Sequence, residues 1–155
     1  MDMMNVSIYV GKENLRTDSR VQTLVRELEE GGCEVCLISA DRKADPCTDI
    51  VLSVGGDGTF LSAALMVAGK DIPVVGVNLG RMGFLSENRP EDISQALLTG
   101  DYTVENRAML HADVVTGNPE IASCPYSLNE MTVRRSGAAM LGVDVCVDGV
   151  ELPTY

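Results

Sequence analysis

Apolar and polar positions alternate along Asn5–Val10, where Val6, Ile8 and Val10 are interleaved with Ser7 and Tyr9; this predicts a strand, closed by Gly11. Over Ser19–Glu30 the period lengthens. Val21, Leu24, Val25 and Leu28 recur at helical spacing, and Gly31-Gly32 supplies the stop. Residues 34–39 read as a second strand and 41–48, polar with Pro46, as a loop. Ile50–Val54 is a short apolar strand, broken by Gly55-Gly56-Asp57-Gly58; residues 59–68 then predict a helix ended by Gly69. Residues 72–77 form a nearly continuous apolar run, as expected of a parallel strand covered on both faces. Residues 78–87 are a glycine-rich loop, and 90–98 a short helix opened by Pro90. Strands alternating with helices predict βαβ units and a Rossmann-like open α/β sheet.

The pattern changes near Gly100. Residues 104–115 alternate as one long strand, 126–135 and 141–147 follow, and Asp148-Gly149 signals a hairpin turn. Two domains are therefore expected: α/β over 1–100, then the start of an all-β, sandwich-like domain over 101–155. No internal repeat or low-complexity tract occurs.

Composition narrows the function classes. Of 155 residues 45% are hydrophobic but only 4% aromatic, with no Trp, so the core must be aliphatic. The net charge of -11 argues against a nucleic-acid partner, which needs a basic surface. It does not exclude a phosphate-bearing substrate, because backbone N–H groups hold phosphates without many cations. The five cysteines are odd in number, no signal-like segment precedes them, and no apolar run is long enough to span a bilayer. A cytoplasmic protein with reduced thiols and no membrane partner is expected. Cys33 and Cys36 have C-x-x-C spacing, but in a strand such residues point to opposite faces, against a redox or zinc pair. His111, the single histidine, reads as structural, and Arg134-Arg135 as a solvated strand edge.

Gly55-Gly56-Asp57-Gly58-Thr59 carries the chemistry. It lies where an apolar strand passes into a helix, the place where open α/β sheets bind ligands. Glycines let a phosphate approach the backbone, the first helical turn presents N–H groups to it, and Thr59 can add a hydroxyl donor. A carboxylate in such a turn repels phosphate unless it holds a metal ion or accepts a proton from an attacking hydroxyl; both roles belong to phosphoryl transfer. The plain alternative is a tight turn with Asp57 as helix cap. Neither a P-loop nor a G-x-G-x-x-G motif is present.

The run Ser53 to Thr59 resembles the GGDGT signature shared by NAD kinases, diacylglycerol and sphingosine kinases, and 6-phosphofructokinases. Gly76-Val77-Asn78-Leu79-Gly80-Arg81-Met82-Gly83-Phe84-Leu85 is similar to the G-x-N-x-G-x-x-G-F-L loop of NAD kinases, and the G-T-x-N-D loop of lipid kinases is absent. Leu128-Asn129-Glu130-Met131-Thr132-Val133 resembles the Asn-Glu motif of NAD kinases. The chain thus resembles the front portion of that family.

The resemblance implies transfer of the γ-phosphate of ATP to the 2′-hydroxyl of the adenosine ribose of NAD. It implies Asp57 as proton acceptor; Asp57, Gly58, Phe84, Asn129 and Glu130 as NAD contacts; and Gly55, Gly56, Gly58 and Thr59 against the phosphates. ATP and NAD are then substrates, a divalent cation such as magnesium accompanies them with no ligand assigned, and the intact enzyme is a homo-oligomer. Read from the residues alone, Asn129-Glu130 could be an ordinary strand dipeptide, and Phe84 and Leu85 could cap the sheet. Family members also carry a later Asp-Gly motif and a Gly-Ser-Thr-Ala-Tyr stretch, not reached by Tyr155. A truncated chain, inactive alone, is therefore expected. The alternatives are a non-catalytic nucleotide-binding fragment or a lipid kinase of the same superfamily.

Overall fold

A computed structural model of the chain describes residues 3–39, 44–80, 83–117 and 124–155. Its centre is a four-stranded, all-parallel sheet in the order β2-β1-β3-β4, formed by β1 (Asn5–Val10), β2 (Glu34–Ile38), β3 (Ile50–Val54) and β4 (Val74–Val77). Helices α1 (Ser19–Glu30), α2 (Asp57–Met66) and α3 (Pro90–Thr99) cover it. This is the mixed α/β class that the sequence predicts.

Side-chain alternation along the strands sorts the core into two layers. Val6, Ile8, Val10, Ile50, Leu52 and Val54 pack with Val21, Leu24 and Leu28 of α1 and Ile93 and Leu97 of α3. Tyr9, Ile38 and Val51 face the other way, against Ala63 of α2 and Val67. β1 and β3 are buried on both faces, which explains their near-continuous apolar runs. On the first face, Ser94 of α3 donates to the Glu27 carboxylate of α1 at 2.5 Å. The strand order reverses between β1 and β3, so the crevice beyond their carboxyl ends is a topological switch point. Gly11 and Gly55, the first residues past those two strands, meet there.

Several boundaries differ from expectation. α2 begins at Asp57, two residues before the predicted start, because Gly56 caps the helix: its carbonyl accepts the N–H groups of Thr59 and Phe60. β4 begins at Val74, not 72, and α3 runs to Thr99, where Gly100 ends it at φ 71°. A 3-10 turn at Glu13–Thr17 has no apolar periodicity that could have announced it. The predicted loop at 41–48 is described only from residue 44, where a turn leads into β3.

Beyond Gly100 the long strands expected at 104–115, 126–135 and 141–147 are not formed. Among the described residues only short pairs occur: β5 (Leu110–His111) with β6 (Tyr126–Ser127), and β7 (Cys146–Val147) with β8 (Val150–Glu151), both antiparallel. The Asp148-Gly149 hairpin is present, with both residues at positive φ (51° and 82°) as a type I′ turn requires. Bonds between Val143 and Tyr155 and between Val145 and Leu152 extend its ladder. A strand exists only where a neighbour takes up its backbone groups, and alternation names the face but not the neighbour. Among the described residues no buried hydrophobic lies beyond Leu97.

Candidate active site

β3 delivers the chain to Gly55, whose φ of 153° suits glycine and whose N–H donates to the Val77 carbonyl of β4 at 2.9 Å. The Thr59 side chain lies against both Gly11 and Gly55, where a Cβ at either position would overlap it. Thr59 is thus a wedge between the ends of β1 and β3, and its hydroxyl faces these glycines. Gly56 and Gly58 are different: both are exposed, and a Cβ at either would meet nothing within 4 Å. In the first turn of α2 the Gly56 carbonyl takes the Thr59 N–H, whereas the N–H groups of Asp57 and Gly58 have no intrahelical acceptor, and no side chain caps the helix. Open backbone, free donors and the positive end of the helix dipole coincide here, which is the chemistry that receives a phosphate.

Asp57 opens α2, but its side chain does not cap the helix. Its carboxylate crosses to the second glycine-rich loop and accepts three backbone N–H groups: Leu85 (2.9 Å) and Ser86 (3.2 Å) on Oδ1, and Phe84 (3.0 Å) on Oδ2. These donors, Leu85 foremost and then Phe84, hold the Asp57 carboxyl below its ordinary pKa. The group is an anion at neutral pH, and the plain capping role read from the sequence is not what the structure shows.

The second loop is built to reach Asp57. Asn78 is buried; its side chain donates to the Ser86 carbonyl (3.2 Å) and accepts from Gly80 N–H (2.7 Å), while Asn88 donates to the Gly76 carbonyl (3.0 Å). Gly76 lies under the Leu85–Ser86 backbone so closely that a Cβ there would overlap it, and Gly83 lies against the Asp57 carboxylate in the same way. Arg81 and Met82 fall outside the described residues. Phe84 is 92% exposed and does not cap the sheet; Leu85 is half-buried.

Asn129 lines a cleft with Leu85, Leu128 and residues 105–108, which brings the Asn-Glu segment beside the loop that holds Asp57. Glu130 is exposed, and its carbonyl accepts the Ser127 hydroxyl at 2.6 Å. Arg134 and Arg135 are exposed. His111 packs on Tyr126 with ring centroids 4.8 Å apart and faces Asp113 at 3.6 Å, contacts internal to the β5–β6 pair.

Cys33 precedes β2, Cys36 lies within it, and neither is in a disulfide. Burial pushes the Cys33 thiol up, which disfavours the reactive thiolate. Among the described residues no group of three or more His, Cys, Asp or Glu side chains could hold a metal ion, and no helix is long and apolar enough to cross a membrane.

Sequence reasoning found the glycines and Asp57 but missed the packing roles of Gly11, Gly76 and Gly83. Each depends on a residue distant in the chain, and no local pattern encodes that.

Comparison with known proteins points one way. Residues 37–100 match the ATP-NAD kinase N-terminal domain family. The chain is 32% identical to the NAD kinase of Bacteroides fragilis over 98% of its own length and 59% of that protein. It is 42% identical to the NAD kinase of Mycolicibacterium paratuberculosis over 80% of its length and 41% of that protein. It therefore spans well under two thirds of these relatives. An NAD kinase from Archaeoglobus fulgidus, solved in complex with ATP, superposes with a TM-score of 0.68 at 26% identity, over 97% of this chain and 57% of that one.

Proposed function

This chain belongs to the NAD kinase family, and from that premise we propose that its protein transfers the γ-phosphate of ATP to the 2′-hydroxyl of the adenosine ribose of NAD, giving NADP and ADP. The observation that carries this reading is the placement of Asp57: an anionic carboxylate beside two open glycines and a helix N-terminus, at the sheet's switch point.

In the proposed reaction the ribose 2′-oxygen attacks the γ-phosphorus. The new O–P bond forms as the bond to the β-phosphate oxygen breaks, ADP departs with that electron pair, and the hydroxyl proton passes to Asp57. Oδ2 accepts one backbone bond against two on Oδ1, so it retains more capacity for that proton. A carboxylate of lowered pKa is a weak base, which suits a loose transition state in which positioning and electrostatics dominate. The backbone at Gly55, Gly56 and Gly58 lies along the phosphates, with Thr59 packed behind it. Phe84, with its exposed ring, and Asn129 and Glu130 hold the adenosine end; Asn offers donor and acceptor to a purine edge, and Glu accepts from ribose hydroxyls.

A divalent cation belongs in this reading to the substrate. Magnesium is ordinarily carried by phosphates with several waters, and the described residues offer no acidic cluster to keep one. Its contribution is to neutralise charge on the transferred phosphoryl group. The division near residue 100 is likewise inferred, from the Gly100 cap and the end of the buried core at Leu97. Family membership further suggests a cytoplasmic homo-oligomer.

The test is Asp57→Asn, which keeps shape and removes the base. In an active enzyme carrying this sequence, turnover should fall on the order of 10²–10⁴-fold with NAD affinity much less affected. Near-normal turnover would remove Asp57 from the chemistry.

A further inference from the structure

The Asp57 carboxylate is gripped by three consecutive N–H groups, those of Phe84, Leu85 and Ser86, and the residue immediately before them is Gly83. A Cβ at Gly83 would overlap Asp57 Oδ1 first, and would also crowd Cγ and Oδ2. What its missing side chain provides is approach: the 84–86 backbone can close on the carboxylate with no atom between. Further anchors hold the loop in that place. Gly83 N–H donates to the Ser86 carbonyl (3.3 Å), and Asn78 donates to the same oxygen (3.2 Å).

We propose that Gly83 is a positioning residue for phosphoryl transfer: its lack of a side chain seats the 84–86 amides on Asp57, which fixes Oδ1 and leaves Oδ2 turned to the reacting hydroxyl. The inference rests on the reading of Asp57 as proton acceptor. Oδ1 has both acceptor directions filled by Leu85 and Ser86, whereas Oδ2 keeps one in hand. A carboxylate held by amides from a separate loop cannot rotate to present the wrong oxygen, and small misplacements of a reacting group are costly. Among the described residues the charged groups nearest in the chain on the packed elements are Lys12 and Glu13 after β1 and Glu87 and Arg89 after the loop, all exposed. The three amides, not a cationic side chain, dominate the electrostatics of Asp57.

The experiment has two arms. In an active enzyme carrying this sequence, Gly83→Ala should lower kcat on the order of 10²-fold while KM for NAD changes little. The acid limb of its kcat–pH profile should move to higher pH, because the carboxylate loses N–H donors. Asp57→Asn is run beside it. Retained turnover in Asp57→Asn overturns the function reading itself; an inactive Asp57→Asn with wild-type kcat and acid limb in Gly83→Ala overturns the positioning role alone.

The second arm needs no substitution at Gly83 and so does not depend on that variant folding. In the unsubstituted protein, the amide proton shifts of Phe84, Leu85 and Ser86 should follow one common titration below the ordinary carboxylate range. In Asp57→Asn that titration should vanish. Amides that show no shared titration would refute the seat.

Discussion

The guanidinium of Arg20, in the first turn of α1, donates to the carbonyl oxygen of Leu79 at the start of the second loop, while Asp18 grips the same guanidinium through both carboxylate oxygens (3.0 and 2.8 Å). Asp18 is also the N-cap of α1, accepting Arg20 N–H at 3.0 Å. One carboxylate therefore starts a helix and, through Arg20, ties that helix to the loop that holds Asp57. The side-chain bond from Arg20, ahead of the backbone bond, lowers the Asp18 pKa from 3.8 to about 2.

That depression predicts an acid response. A group whose folded pKa lies below its unfolded value stabilises the fold above the unfolded pKa and ceases to do so as pH falls through the folded one. The contribution of Asp18 should be complete above pH 3.8 and fade toward pH 2. Asp18→Asn preserves the cap and removes the charge, so its melting temperature should lie below wild type near neutrality and converge with it toward pH 2. Added salt should shrink the gap, since the pair is partly solvated. Melting curves that stay parallel across that range would contradict the assignment.

Gly56→Val separates folding from binding. Gly56 sits at φ -90°, which a branched residue can adopt, with open space at the Cβ position. The fold should lose only about 1 kcal/mol, from a poorer N-cap. ATP affinity should nonetheless collapse, because the space that the isopropyl group fills is the space assigned to phosphate. Calorimetric titration with ATP beside a thermal melt checks both halves, and normal ATP affinity would mean that the phosphates lie elsewhere.

The α/β part was legible because its signals are local. Val21, Leu24 and Leu28 occur at helical spacing, and all are buried on one face of α1. The apolar run of β3 is buried on both faces, and Gly31 stops α1 where expected. The start of α2 was misread because Gly56 and Gly58 are poor helix formers. The local preference for a later start is outweighed by a cap at Gly56 and by Asp57 in the first turn, where the helix dipole favours an anion. The site was legible as a set of residues and not as a geometry. Asp57 could be picked out, but its bonds to Phe84, Leu85 and Ser86 join segments that the sequence keeps apart. The region past Gly100 was read least well: alternation at 104–115 announced a strand, yet among the described residues only Leu110 and His111 pair as a strand, with one further bond from the Ala112 N–H to the Pro125 carbonyl.

Ser53 makes a test of the sheet itself. Its hydroxyl is fully buried in β3, between Tyr9 of β1 and Gly76 of β4 in the register, and has no hydrogen-bond partner among the described residues. A buried polar atom left unpaired costs about 1–3 kcal/mol. Ser53→Ala removes that atom without adding bulk, so stability should be unchanged or rise by about 1 kcal/mol. Chemical denaturation measures it, and a clear loss would reveal a partner for the hydroxyl.

The last expectation concerns the surface of residues 101–155. Val115 (94%), Met140 (96%), Val133 (74%), Val150 (64%) and Val104 (61%) are all exposed, a density of open apolar side chains that soluble monomers ordinarily avoid. The short pairs β5–β6 and β7–β8 also leave strand edges whose N–H and C=O groups can template another chain. The α/β sheet has its own buried core on both faces and does not share this liability. The 155-residue chain should therefore self-associate as concentration rises, and limited proteolysis should cut first after Gly100 while the sheet and its three helices survive as a resistant piece. Light scattering across a concentration series reads the first outcome, and mass spectrometry of the digest reads the second. A chain that stays monomeric and resists protease throughout would mean that these apolar side chains find cover in solution.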